Sequence, residues 1–166
     1  MPRQHRDDVL ALLRTQIESE AEVEEIGRTA EEVGEKWVPP LGAGGKQHTN
    51  GLIYGLVQSG KTGVLTVSGA LAADEGYRTL IVLTSDIDPL YDQTLGRIKE
   101  AWPAIAILDK AAIKDQDGFL QRVRSTTSAV VVTKNSALLG SLIENFKKGN
   151  VPGLTCLIID DEADQA

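Results

Sequence analysis

Unbroken apolar runs and helix-period stretches alternate along this chain from Gly51 onward. The runs are Leu52-Ile53-Tyr54, Thr79–Leu83, Ala104–Leu108, Ala129–Thr133 and Leu154–Ile159. Thr79-Leu80-Ile81-Val82-Leu83 has no polar alternation, which predicts a strand buried on both faces. Between the runs, Val64, Leu65, Val67, Ala70 and Leu71 fit a helix that stops at Gly76. Tyr91, Leu95, Ile98 and Trp102 form a second helical stripe, with Asp88 expected as N-cap, Pro89 at the first helical position and Pro103 as terminator. Leu138, Leu142 and Phe146 form a third stripe. Asn135 is its expected cap and Gly149 its expected stop, followed by a turn through Asn150, Pro152 and Gly153. Residues 109–128 show no clear period, and a short helix around Phe119–Val123 is expected there. Strands separated by helices predict βαβ units, hence an α/β fold with a parallel sheet.

The N-terminal segment reads differently. Leu10, Leu13 and Ile17, then Ile26, Ala30 and Val33, predict a helix or helix pair over residues 4–33, with Asp7 and Asp8 in its first turn and Gly27 as the place where it would split. The intervening glutamates read as a solvated face or, less simply, as a partner-binding one. Residues 34–50, with Gly34, Pro39-Pro40 and Gly42-Ala43-Gly44-Gly45, oppose regular structure. Trp37 there would either pack against the following domain or stack on a base. The expected organisation is a helical leader over 1–37, a connector over 38–50 and an α/β lobe over 51–166.

Composition adds limits. One cysteine, Cys156, among 166 residues rules out an internal disulfide. With no signal-peptide pattern and no apolar run of membrane-spanning length, a cytoplasmic, reducing location is expected. The net charge of −7 argues against a globally basic nucleic-acid binder. The acidity is concentrated at the two ends, so a local basic groove between them is allowed.

Candidate chemistry follows the strand ends. Gly55-Leu56-Val57-Gln58-Ser59-Gly60-Lys61-Thr62 matches G-x-x-x-x-G-K-[ST] at every fixed position, after an apolar run and before a helix. Glycines let backbone N–H groups approach a phosphate, and the positive end of the helix dipole faces it. The expected cofactor-binding residues are Gly55, Gln58, Ser59, Gly60, Lys61, Thr62 and Gly63. Lys61 would serve the β- and γ-phosphates of ATP, and the Thr62 hydroxyl would ligate Mg²⁺. Leu157-Ile158-Ile159-Asp160-Asp161-Glu162 ends an apolar run in acids, the arrangement expected of a Mg²⁺ partner beside a water-orienting glutamate. A glycine-rich turn and an acidic surface turn are the plain alternatives. In parallel sheets ligands gather at the carboxyl ends of strands, so Thr84-Ser85-Asp86 and Thr133-Lys134-Asn135 join the candidates.

Asp161-Glu162-Ala163-Asp164 resembles motif II of DEAD-like superfamily-two helicases and translocases, and the phosphate loop resembles their motif I. Thr84 through Gln93 with Arg97 is similar to motif Ia, and Val131-Val132-Thr133-Lys134 to a later strand end that faces nucleic acid. More narrowly, residues 57–62, Asp92-Gln93-Thr94 and residues 158–166 resemble the endonuclease family carrying the Z-one domain, associated with bacterial restriction and phage defence. The resemblance spans roughly residues 50–166. It implies a RecA-like, three-layer P-loop NTPase lobe of an ATP-dependent, DNA-processing helicase or translocase, with RNA as the alternative polymer. It also implies Asp161 as the metal-side acid, Asp160 as an extra acid sharing or replacing that role, and Glu162 as catalytic base beside Lys61. Asp164 would contact other helicase motifs, and Ser85, Arg97 and Lys134 would lie toward nucleic acid. Gln47 and His48 are too close to the loop to match the adenine-reading glutamine motif. The chain stops at Ala166, just after motif II, so a second RecA-like lobe and a nuclease domain are expected outside it, and slow hydrolysis is expected without them. The competing expectation is a nucleotide-dependent switch or assembly module, docked through its acidic leader, that never moves along nucleic acid.

Overall fold

Residues 3–38, 48–51, 60–150 and 154–161 are described by the computed structural model, and the statements below concern these. The Leu52–Tyr54 run, Gly55–Ser59 of the phosphate loop, Gln47 and Glu162–Ala166 lie outside the described residues. Seven helices and four strands are present among them. The chain divides into two units, Met1–Gly76 and Tyr77–Ala166. None of the described helices is long and apolar enough to cross a membrane.

The first unit holds three helices, α1 (Gln4–Gln16), α2 (Glu20–Gly34) and α3 (Lys61–Asp74). The leader is thus a helix pair, but the break falls at Ile17–Ser19 and not at Gly27. The reason is local. Ser19 is extended and its hydroxyl accepts the Glu22 N–H at 3.3 Å, which starts a new helix. Gly27 instead sits buried inside α2, where an added Cβ would come within 3.4 Å of Leu10 on α1. Helix α3 is apolar or small around most of its circumference, and Val64 through Ala72 are buried apart from half-buried Leu65. Its last residue, Asp74, accepts the backbone N–H groups of His5 at 3.1 Å and Arg6 at 2.9 Å. The start of α1, whose N-cap Arg3 offers no side-chain acceptor, is therefore capped from the end of α3. Trp37 donates its N–H to Gly34 at 3.1 Å, and its ring stands beside Gly34 with Leu71. That contact is packing within this unit.

The second unit is built on a parallel sheet of β1 (Thr79–Thr84), β2 (Ala106–Leu108), β3 (Ser128–Thr133) and β4 (Cys156–Asp160), in the order β2-β3-β1-β4. Every residue of β3 is buried, and so is every residue of β1 except half-buried Leu83, as their apolar runs predict. Four helices connect the strands: α4 (Asp88–Ala101), α5 (Lys110–Lys114), α6 (Gln116–Ser125) and α7 (Ser136–Gly149). One core joins Ile81, Leu108, Val130 and Val132 of the sheet to Ile113, Phe119, Leu120, Val123 and Leu142. Phe119 and Phe146 meet edge to face at 5.4 Å.

Several boundaries differ from the expectation. Residues 109–128 hold two helices, each opened by an aspartate. Asp109 accepts from Ala111 and Ala112, and Asp115 from Gly118. Asp88 is the first residue of α4, not its cap; Ile87 precedes it with no side-chain hydrogen bond. Helix α7 runs through Gly149, which is buried against Leu120, and Asn150 takes the left-handed conformation at φ 38°. Asn135 does cap α7, accepting from Ala137 at 3.0 Å and Leu138 at 3.3 Å. Strands β2 and β4 begin two residues later than their apolar runs.

Candidate functional site

Three strand ends converge in the second unit. Because β1 lies between β3 and β4, its last two carbonyls are claimed from opposite sides. Lys134 donates its N–H to the Thr84 carbonyl at 3.0 Å, and Asp161 donates to the Leu83 carbonyl at 2.9 Å. Sheet-type bonding thus continues past β3 and β4, and it carries Thr84–Asp86, Lys134–Asn135 and Asp160–Asp161 to one edge. The rest of the edge is held by side chains. The Thr84 and Thr94 hydroxyls share a hydrogen bond at 3.2 Å. Ser85 Oγ accepts the Ile87 N–H at 3.3 Å, and Asn135 Nδ2 donates to Asp86 at 3.3 Å. Lys134 Nζ stands 2.8 Å from Asp160 Oδ1.

Beside this group, Lys110 Nζ pairs with Asp88 at 2.9 Å and lies 3.9 Å from the centre of the Tyr91 ring. The hydrogen bond to Asp88 raises the Lys110 pKa above its ordinary value. Burial raises that of Tyr91, whose hydroxyl accepts the Lys110 N–H at 3.1 Å. The carboxylates Asp86, Asp88, Asp160 and Asp161 outnumber the ammonium groups of Lys110 and Lys134 here. The edge therefore favours a cation more than a bare polyanion.

Of the phosphate loop, Gly60, Lys61, Thr62 and Gly63 are described, in the first unit. Gly60 adopts φ 71°, ψ 13°, a left-handed conformation that favours glycine, and α3 begins with no side-chain cap. Lys61 and Thr62 are exposed. Ile26 of α2 packs beneath this turn: a Cβ on Gly60 would meet it at 3.3 Å, and one on Gly63 at 3.0 Å. Sequence reasoning missed Ile26 as a support of the loop. Its only signal was a place in the α2 apolar stripe, which says that a residue is buried but not against what.

The sheet thus brings Ser85, Lys134, Asp160 and Asp161 together. Arg97 does not join them. It is exposed on α4, nine residues after Asp88 and so about 13 Å along a helix leading away from that edge. Among the described residues no three His, Cys, Asp or Glu side chains cluster for a metal. Cys156 is not a candidate nucleophile, because burial pushes its thiol up to about 12.

No protein-family model matches this chain, and no curated protein and no solved structure is detectably similar to it.

Proposed function

We propose that this chain is the ATP-binding lobe of a nucleic-acid-processing motor of the superfamily-two type, with a P-loop, RecA-like fold. The observation that carries the reading is the parallel sheet whose carboxyl edge collects the acidic end of β4, in a chain that also holds a complete phosphate-loop pattern. In this reading Gly55, Gln58, Ser59, Gly60 and Gly63 cradle the triphosphate, and Lys61 binds its terminal phosphates. On the same reading the Thr62 hydroxyl and the Asp161 carboxylate would be the Mg²⁺ ligands, and the ion would supply positive charge to the phosphates. Glu162 orients the attacking water and takes its proton. DNA is the favoured polymer.

The test is fluorescent-nucleotide binding followed by ATP hydrolysis. Lys61→Ala should weaken binding of a fluorescent ATP analogue at least about tenfold, the loss of one charge-assisted contact. Undiminished binding would refute the phosphate-site reading. Stimulation of hydrolysis by DNA supports a motor, whereas indifference to DNA and RNA supports a nucleotide-dependent switch.

A further inference from the structure

The amino edge of the sheet carries the reverse charge of the carboxyl edge. Parallel strands need connections that return to the start, so α6 and α7 bring their last turns to this edge. Arg122 and Arg124 close α6, and Lys147 and Lys148 close α7. Hydrogen bonds tie these ends together. The Gly149 carbonyl accepts from Arg124 Nη2, and the Arg122 carbonyl accepts the Ser128 hydroxyl at 3.5 Å, where β3 begins. Ser128 donates its N–H to the Arg78 carbonyl at 3.0 Å, and Arg78 donates its own to the Thr155 carbonyl at 3.2 Å. Arg78, Arg122, Arg124, Lys147 and Lys148 thus gather at one end of the second unit, and all five are exposed. Bases in a last turn also complement the helix dipole, but their pairing sets these apart. Arg3, Arg6, Arg14 and Arg28 of the first unit each pair with a carboxylate. Among the described residues no carboxylate pairs with Arg78, Arg122, Arg124 or Lys147, and Lys148 meets Glu144 at 3.4 Å with both side chains well exposed.

We propose that this basic amino edge is a sequence-independent binding surface for the phosphate backbone of double-stranded nucleic acid. A guanidinium matches phosphate oxygens with its fork of donors, and one without a carboxylate partner has no ion pair to give up. The last turns of α6 and α7 expose no aromatic side chain on which an unpaired base could stack, since Phe146 packs on Phe119. A duplex, read through its backbone, therefore fits better than a single strand. These turns also expose no large apolar side chain of the kind that centres a protein interface: Ile87 and Leu90 lie at the carboxyl edge, and Ile143 and Ile158 farther along α7 and β4. Asp86, Asp88 and Asp160 repel a polyanion from the carboxyl edge, so the field of this unit turns its amino edge toward the polymer. The inference goes beyond the proposed function, which assigns nothing to this edge, and it seats the polymer away from Ser85 and Lys134.

The experiment is a fluorescence-anisotropy titration of a labelled DNA duplex of about 20 base pairs with the 166-residue chain, without nucleotide, between about 20 and about 200 mM salt. Four or five phosphate contacts give a slope of log affinity against log salt of about −3.5 to −4.5. Arg122→Gln/Lys147→Gln should make that slope shallower by about 1.8 and weaken binding at least about tenfold at about 50 mM salt. Both side chains are exposed, and any unfolded fraction lowers the apparent affinity without changing the slope, so the slope decides even if folding suffers. Lys134→Met, at the opposite edge, should leave slope and affinity unchanged. No binding at about 20 mM salt, an unchanged slope in the double variant, or a loss confined to Lys134→Met would overturn the proposal. Competition by poly-glutamate as strong as that by unlabelled duplex would assign the edge to an acidic protein and would also overturn it. No nucleotide is present, so a failure of the Lys61→Ala test falls on the nucleotide reading and not on this edge.

Discussion

Helices start in two ways here, and α1 and α3 of the first unit differ from most helices of the second. Helix α2, behind Ser19, carries its own cap, whereas α1 and α3 do not; of the described helices in the second unit only α4 lacks one. In the second unit, α5, α6 and α7 are each opened by their own neighbour, Asp109, Asp115 or Asn135. In the first, α1 is capped across the unit by Asp74 at the end of α3, and α3 opens on left-handed Gly60 with Ile26 beneath it. A helix that carries its own cap is closed to ligands at that end. One that begins in glycine and an exposed lysine keeps its first N–H groups for something outside the helix. The surfaces differ too. Arginines on α1 and α2 are paired with glutamates, as in Arg6 with Glu31 at 2.6 Å and Arg14 with Glu20 at 2.9 Å. The groove of about 350 Å³ lined by residues of these two helices includes one such cluster, Arg6 with Asp7 and Glu31.

The largest effect expected from breaking this contrast lies in the sheet unit. Phe119→Ala, at a side chain 1% exposed, should cost about 3–5 kcal/mol in urea unfolding and expose the second unit to protease first. Gly60→Ala should cost about 1–2 kcal/mol, from the left-handed backbone and the crowding of Ile26, while sparing the second unit. Ile26→Val should cost about 0.5–1.5 kcal/mol by the same unfolding assay, and it should weaken binding of the fluorescent ATP analogue if α2 steadies the loop. Asn135→Ala should cost about 1 kcal/mol through loss of the α7 cap. Arg14→Gln, at an exposed pair, should leave the unfolding midpoint unchanged within error.

Alkaline stability sharpens the same comparison. The Cys156 thiol is raised from 9.0 to about 12 by burial, and Tyr77 and Tyr91 are raised above 10.0 for the same reason. Below the unraised values, 9.0 for the thiol and 10.0 for the phenols, both folded and unfolded chains hold the protons. As pH climbs from 9 toward 12 the unfolded chain loses its Cys156 proton first, so stability should fall across that window. All three groups belong to the second unit. Replacing Cys156 with alanine should flatten part of the decline, which unfolding midpoints at pH 8 and pH 10.5 would register.

Burial on both faces was written into β1 and β3, because a run such as Ala129-Val130-Val131-Val132 has no polar face to show water. The Asn135 cap was equally legible, since a short polar side chain beside an apolar stripe has few other uses. The aspartates at 109 and 115 carried the same signal, but α5 has five residues and α6 ten, too few for a strong period. The helix break went to Gly27 in the sequence reading because glycine is a poor helix former. Packing overrode that preference: Gly27 is buried beside Leu10 of α1, and the break falls instead where Ser19 can cap α2.

Local pattern, then, determined which segments are strands, which are helices, and that acids and glycines fall at their ends, because each depends on residues within one or two turns. The order β2-β3-β1-β4, the bridge from Lys134 over β1 to Asp160, and the seat of Ile26 under Gly60 were decided only by tertiary structure. Each joins residues from 26 to 34 positions apart, or whole strands, and no local preference records which distant partner a side chain will meet.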